Sequence, residues 1–286
     1  MVEATPFPHG RVTLVGVLNM TPDSFSDGGR LLTPGGEPDC AAAVAAGLAL
    51  VADGAHVLDI GGESTRPSAQ TVPEDEEIAR TIPVLEALAK ATPALLSIDT
   101  RKARVAQAAL AAGACVVNDV SGLRFDPDLA RVVARSGATL VLGHLRGEPE
   151  SMQQAVDFED CLAEVEQELF ASIETACRAG VPRERLVVDP GLGFGKHLRH
   201  NLELLANVGR LRARLGLRVL VGPSRKSFLG EITGDPAGER DRATLAACAV
   251  AVFAGADALR VHDVAGAVRA AAVGAALRAA RREGAP

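Results

Sequence analysis

The sequence predicts a single α/β domain, a (β/α)8 TIM barrel spanning residues 1–286. Three observations predict it. Short β-branched apolar runs alternate with Ala-rich amphipathic segments along the whole chain. Eight such pairs can be laid out, the number that closes a barrel. Nearly every apolar run stops at a polar or charged residue.

In chain order the strand segments are Val12–Leu18, His56–Ile60, Leu95–Ile98, Cys115–Val117, Thr139–Gly143, Leu186–Val188, Arg218–Val221 and Ala258–Val261. Near-continuous apolar runs of this kind suit parallel strands covered on both faces. The helices that fit between and after them are Asp39–Ala52, Glu74–Lys90, Arg101–Ala112, Pro127–Arg135, Asp157–Ala179, Leu202–Leu215, Arg242–Ala254 and Val264–Arg281. Four strands are preceded by variants of one phrase: Asp53-Gly54-Ala55, Ala112-Gly113-Ala114, Ser136-Gly137-Ala138 and Gly255-Ala256-Asp257. A glycine there supplies the left-handed residue that ends a helix. Residues 1–11 read as an N-terminal extension and 281–286 as a frayed tail. Thr33–Asp39 and Arg146–Gln154 read as loops. An open doubly wound sheet is the structural alternative. It calls for a Gly-rich fingerprint after the first strand, and none is there.

Composition narrows the function classes. Lysine and arginine total 30 against 36 acidic residues, a formal charge of −6. Nucleic-acid binding needs a basic surface, so nucleic acid is not an expected partner, and any anion must be held by a local cluster of cations. The five cysteines, Cys40, Cys115, Cys161, Cys177 and Cys248, are odd in number and form no CxxC, which suits small buried residues in a reducing compartment. No signal-like start and no apolar run of membrane-spanning length occur, so the expectation is a cytoplasmic protein without a membrane partner.

In such a barrel, chemistry sits at the C-terminal ends of the strands. Those ends read Asn19, Asp59, Asp99, Asn118, His144, Asp189, then Ser224-Arg225-Lys226, then Arg260 and His262. Any one of them could simply cap the next helix. That nearly all are polar points to a site. Asp99, Asn118 and Asp189, with Lys226 beside them, suit a flat, nitrogen-rich heterocycle carrying several N–H donors. Arg66, Arg260, His262, Ser64 and Thr65, with Asn19 near, suit a phosphate or pyrophosphate with Mg²⁺. Phe25, in the long polar loop after the first strand, reads as part of a lid. His144 reads as a satisfied core histidine, Glu63 as a loop-organising acceptor, and Asp59 and Asp119 as loop braces. The glycines of Asp189-Pro190-Gly191-Leu192-Gly193-Phe194-Gly195-Lys196 match neither P-loop nor Rossmann spacing.

Taken together, the motifs resemble the dihydropteroate synthase family. They are Gly16 through Gly29 (GVLNMTPDSFSDGG), Asp59 through Pro67 (DIGGESTRP), Ser97-Ile98-Asp99-Thr100, Val117 through Gly122 (VNDVSG), Asp189-Pro190-Gly191 through Lys196, Ser224-Arg225-Lys226-Ser227 and Arg260-Val261-His262-Asp263. The first two are long and specific, and the set runs in order through nearly the whole chain. The resemblance implies a transferase of folate biosynthesis. It would join 7,8-dihydropterin-6-ylmethyl diphosphate to p-aminobenzoate by SN1-like loss of pyrophosphate assisted by Mg²⁺. Asp99, Asn118, Asp189 and Lys226 would hold the pterin. Asn19 would meet the metal, and Ser64, Thr65, Arg66, Arg260 and His262 the pyrophosphate. Phe25, Thr65, Arg66, Pro67, Phe194 and Ser227 would shape the p-aminobenzoate site. Asp99, Asp189, Lys226 and Arg66 would carry catalysis. The family pairs as a homodimer through its last two helices. Leu145 and Leu192 depart from the family's common Met and Phe, and Leu145 is expected on the pocket floor. A folate-dependent methyltransferase and a non-catalytic pterin-binding homologue are the competing readings. The Thr65-Arg66-Pro67 loop and the Arg260/His262 cluster count against the first, and the retained first-loop motif and Arg66 count against the second.

Overall fold

The computed structural model describes residues 6–21, 31, 33, 37–64, 70–147, 152–153 and 156–281. Eight parallel strands close in sequence order into a barrel. They are β1 (Thr13–Asn19), β2 (Val57–Gly61), β3 (Leu95–Asp99), β4 (Val116–Asp119), β5 (Thr139–Gly143), β6 (Leu186–Asp189), β7 (Arg218–Val221) and β8 (Ala258–Val261). The helices are α1 (Cys40–Ala52), α2 (Glu74–Ala91), α3 (Ala103–Ala111), α4 (Asp128–Ser136), α5 (Cys161–Arg178), α6 (Leu198–Ala206), α7 (Val208–Leu215), α8 (Ser227–Thr233), α9 (Asp241–Ala254) and α10 (Val264–Ala280).

All eight expected strands form, within a residue or two of the expected ends. The helices differ in three places. The expected helix from Asp157 starts at Cys161, because the Asp160 side chain caps it by accepting from the Ala163 N–H. The expected Leu202–Leu215 helix begins earlier and breaks at Asn207. Asn207 closes α6 and opens α7, and the bend lets Gly209 pack close against the last turn of α9. The short α8 is an addition. Its seven residues include Gly230 and carry too few apolar positions to show a helical period.

Side chains alternate along a strand, so register decides which residues enter the barrel. Pairings such as Val17↔Asp59, Asp59↔Ser97, Asp99↔Asn118, Gly143↔Asp189 and Val15↔Arg260 put one parity inside all round the sheet. Toward the N-terminal end these inner residues are apolar: Val15, Val57, Val116, Val141, Val187, Leu220 and Ala258 form one buried cluster. Two residues further along the same strands they become Val17, Asp59, Asn118, Gly143, Asp189, Gly222 and Arg260. The barrel is thus a packed floor beneath a polar mouth. A larger cluster joins the outer face of the sheet to the helices.

Phe7 belongs to the inner cluster and is 2% exposed. The segment expected as an extension therefore contributes a plug, and Thr13 Oγ donates to the Pro6 carbonyl oxygen (3.4 Å) beside it. Phe7→Ala removes that plug far from the mouth. It should cost about 3–5 kcal/mol in denaturant unfolding while leaving activity of the folded protein within about twofold. Unchanged stability would show that the floor closes without it.

Candidate functional site

The mouth of the barrel opens into a cavity of about 370 Å³, within the range of small-molecule sites. Asn19, Asp99, Asn118, His144, Asp189, Lys226, Arg260 and His262 all line it, as do Ser64, Phe194 and Ser227. The structure thus brings together the two halves expected at the strand ends. Phe25, Thr65, Arg66 and Pro67 lie outside the described residues.

The centre of the site is Arg260. Its Nε donates to Asp59 Oδ2 and its Nη2 to Asp99 Oδ2, both at 2.6 Å. Asn118 Nδ2 donates to the same Asp59 oxygen at 3.2 Å. Asp59 is fully buried, and its second oxygen has no hydrogen-bond partner. This corrects the expectation that Asp59 braces a loop: it faces inward from β2 and ties β8 to β4. Arg260, expected wholly on the anion side, also organises the acceptor side. Asn118, its amide nitrogen held by Asp59, also lines the cavity. Asp99 and Asp189 add carboxylate acceptors, and Asp189 Oδ1 is steadied by the Gly191 N–H at 2.7 Å. Burial pushes the Asp99 carboxyl up to about 7, against the opposing pull of Arg260 and with the repulsion of Asp59. Burial likewise raises Asp189, offset by the Gly191 N–H and Lys226.

Lys226 closes one side. Its stem lies across Gly193, and its Nζ sits 3.7 Å from the Phe194 ring centroid. The turn that presents it is strained, because Arg225 has φ +57. Asp241 holds the Arg225 guanidinium by two bonds of 2.7 and 2.9 Å, and Thr244 Oγ accepts from its backbone N–H at 3.0 Å. That turn aims Ser224 and Lys226 into the cavity from either side of Arg225. Sequence reasoning missed the supporting role of Asp241, since a single αL arginine leaves no periodic signal.

At the opposite side His262 Nε2 lies 3.4 Å from Asn19 Nδ2, and His262 Nδ1 lies 2.9 Å from Ser224 Oγ. The consistent assignment makes Nδ1 the donor to Ser224 and Nε2 the acceptor from Asn19. The Asn19 amide oxygen is then the atom available to a hard cation.

The loop after β2 rests on a buried network. Glu63 accepts from Val72 N–H (2.7 Å), Arg101 (3.0 Å) and Lys102 (2.6 Å), in keeping with its expected role as a loop-organising acceptor. Lys102 also reaches Glu77 (2.6 Å) and the Val72 carbonyl (2.6 Å). Asp119 braces the next loop as expected, accepting from Ser121 and Leu123 N–H. His144 is a satisfied core histidine, bonded to Glu168 and Lys196. Leu192 lines the cavity, whereas Leu145 is buried but does not line it, which corrects its expected place on the floor.

Comparison with known proteins fits this geometry. The family model described as pterin binding enzyme matches residues 15–262. The chain is 45% identical over 265 residues to the dihydropteroate synthase of Synechocystis sp., covering 92% of this chain and 89% of that protein. It superposes on the Xanthomonas albilineans dihydropteroate synthase solved with 4-aminobenzoic acid, at TM-score 0.85 and 45% identity, covering 94% of each chain. A structure of the same enzyme in complex with 7,8-dihydropteroate gives TM-score 0.82 and 42% identity, covering 94% of this chain and 95% of that one.

One prediction concerns the network under the second loop. Lys102→Met leaves Glu77 buried without its cation and should cost about 3–5 kcal/mol at pH 7. Burial already raises the Glu77 carboxyl in the parent. A carboxyl raised in the fold loses stability as pH rises, so the variant should recover toward pH 5, where Glu77 takes up a proton. Urea melts at the two pH values check this, and a deficit independent of pH would contradict it.

The family match, the relatives and the layout of the mouth agree, and the chain belongs to the pterin-binding enzymes, as a member of the dihydropteroate synthase family.

Proposed function

We propose a division of labour among the residues of the mouth for the dihydropteroate synthase reaction, which this chain carries out as a transferase of folate synthesis. The reaction condenses 7,8-dihydropterin-6-ylmethyl diphosphate with p-aminobenzoate to give 7,8-dihydropteroate and pyrophosphate. The observation that carries the assignment is the set of three inward acceptors, Asp99, Asn118 and Asp189, facing one cation, Lys226, across a single cavity. A pterin ring presents several N–H donors and a few acceptors on one edge, the complement of that set.

Asp99, Asn118, Asp189 and Lys226 hold the ring. Arg260, His262, Ser64 and Asn19 face the diphosphate, joined by Thr65 and Arg66. Departure of the diphosphate takes the C–O electron pair and leaves positive charge on the pterin methylene. Asp99 and Asp189 stabilise that charge, while Arg260 and Arg66 stabilise the departing anion. The arylamine nitrogen then forms the C–N bond and gives up a proton. Phe25, Pro67, Phe194 and Ser227 position the aromatic ring for that attack, with Thr65 and Arg66 beside it.

Mg²⁺ fits the donors. Among the described residues no cluster of three or more His, Cys, Asp or Glu could cage a metal, but Mg²⁺ commonly keeps several waters and substrate phosphate oxygens. Asn19 supplies one oxygen ligand beside the anion subsite. When bound, the ion neutralises charge on the diphosphate.

Pairing of two copies is supported by the outer face of α9 and α10, where Val250, Phe253, Val268, Val273 and Leu277 are exposed. No helix among the described residues is long and apolar enough to cross a membrane.

The direct test mixes the protein with the pterin diphosphate, labelled p-aminobenzoate and Mg²⁺ and follows dihydropteroate and pyrophosphate. Product should form, and Arg66→Ala should reduce it sharply. Folded protein that binds pterin without product would support the non-catalytic reading instead. A second measurement uses pH. A pterin lacking the diphosphate should bind about tenfold more weakly at pH 6 than at pH 8, because its N–H needs Asp99 ionised. Calorimetry with Asp99→Asn should show weak binding without that slope. A parent profile flat from pH 6 to 8 would remove Asp99 as a ring acceptor.

A further inference from the structure

Behind the cavity wall lies a buried polar chain that the reaction above does not use. Lys196 is 3% exposed. Its Nζ donates to His144 Nδ1 at 2.9 Å, to the His144 carbonyl oxygen at 3.2 Å and to the Phe194 carbonyl oxygen at 2.9 Å. Glu168 is held as a carboxylate and can only accept, so His144 carries its proton on Nε2 and its neutral ring accepts from Lys196 at Nδ1. Burial lowers the Lys196 amino group to about 7, and it can donate there as amine or ammonium. That Nε2–H donates to Glu168 Oε2 on α5 at 3.0 Å. Arg124 and Arg146 close the chain on the same carboxylate. Burial, with Lys196 beside it, holds His144 far below the usual imidazole range, at about 3, so the ring is neutral.

The loop this chain touches has little shape of its own. Gly191, Gly193 and Gly195 all have positive φ, at +66, +82 and +62, and glycine leaves such a loop many unfolded alternatives. It lies flush on the segment after β5. A Cβ on Gly191 would collide with the His144 carbonyl oxygen, and one on Gly195 with the Arg146 carbonyl oxygen. His144 N–H donates back to the Asp189 carbonyl oxygen at 3.0 Å, so the two segments are laced in both directions. Asn201 Oδ1 accepts from Gly193 N–H at 2.6 Å, and Gln153 donates to the Gly193 carbonyl at 2.7 Å. The product of this lacing is the placement of Asp189 and Phe194, both in the cavity wall.

We propose that Lys196 is a positioning residue for the reaction. Through His144 and Glu168 it anchors the Gly191–Lys196 loop, and so sets where Asp189 meets the pterin ring and where Phe194 stands beside it. The neutral imidazole links the Glu168 carboxylate to the buried Lys196 amino group. The inference rests on the pterin assignment above and extends it to residues that touch no substrate.

The test is steady-state kinetics and pterin calorimetry on Lys196→Met, which keeps length and removes the donors. The expected result is a KM for the pterin diphosphate raised at least about tenfold, whatever the fall in kcat, because a displaced Asp189 both holds the ring less tightly and supports the charged methylene less well. A residue needed only for folding would lower kcat with the fraction of folded protein and leave KM alone, and that outcome overturns the proposal. Unchanged KM and kcat overturn it too. Should Lys196→Met fail to fold, Glu168→Leu removes the acceptor at the far end of the chain, and its pterin KM should rise about threefold or more. An unchanged KM there is contradictory. Absence of pterin binding by the parent would overturn the functional assignment and this inference with it, whereas parent binding with an unaffected variant overturns the inference alone.

Discussion

One guanidinium shared between two carboxylates organises the mouth of this barrel. Arg260 on β8 bonds Asp59 on β2 and Asp99 on β3 at 2.6 Å each, inside a wall that excludes most water. Buried ion pairs of this kind contribute little to stability, since desolvation offsets the attraction. Their contribution here is to placement. The pairing fixes the arginine's plane, ties Asn118 to the same Asp59 oxygen, and leaves the two carboxylates with more acceptor oxygens than the guanidinium occupies. A site with surplus acceptor capacity at its base, and cations at its rim, suits a ligand that becomes cationic as its anion departs.

The surrounding fold makes room for that cluster in a specific way. The inner face of β5 ends in Gly143, and the turn after β7 puts Gly222 two residues beyond inward-facing Leu220. Small residues at these two places open the cavity over Asp189 and Arg260, while Val15, Val57, Val141, Val187 and Phe7 fill the space below. The acceptors Asp99, Asn118 and Asp189 thus stand on strand ends above that apolar layer. The walls are different in kind. They depend on glycine turns laid against neighbouring carbonyl oxygens and on side-chain anchors such as Asp241 on Arg225 and Asn201 on Gly193. Rigid strands thus present the ring-holding acceptors Asp99, Asn118 and Asp189, and anchored loops present Lys226 and the groups that shape the rest of the site.

Much of this was legible in the sequence. Eight apolar runs with polar ends are enough to name the barrel and to place Asn19, Asp99, Asn118, Asp189, Lys226, Arg260 and His262 around one opening. Asp59 was read as a brace although a signal existed: it stands two residues after Val57, as Asn118 stands after Val116, so parity puts both inside. What single-sequence reasoning could not supply is long-range. Arg260 meets Asp59 across 201 residues. The αL turn at Arg225, the break at Asn207 and the short α8 are imposed by packing against α9 and by backbone geometry that no local pattern records. Phe7 was set aside with the extension because a lone aromatic ahead of the first strand carries no period.

The most direct test of the central role given to the shared arginine is pterin binding by Asp59→Asn, measured by calorimetry alongside circular dichroism of the folded protein. Asn keeps the shape and removes the charge that orients Arg260 and Asn118. Affinity for the pterin should fall at least about tenfold, close to 1.4 kcal/mol or more, with the barrel intact. A folded Asp59→Asn protein that binds the pterin as tightly as its parent would show that the mouth organises itself without this interaction.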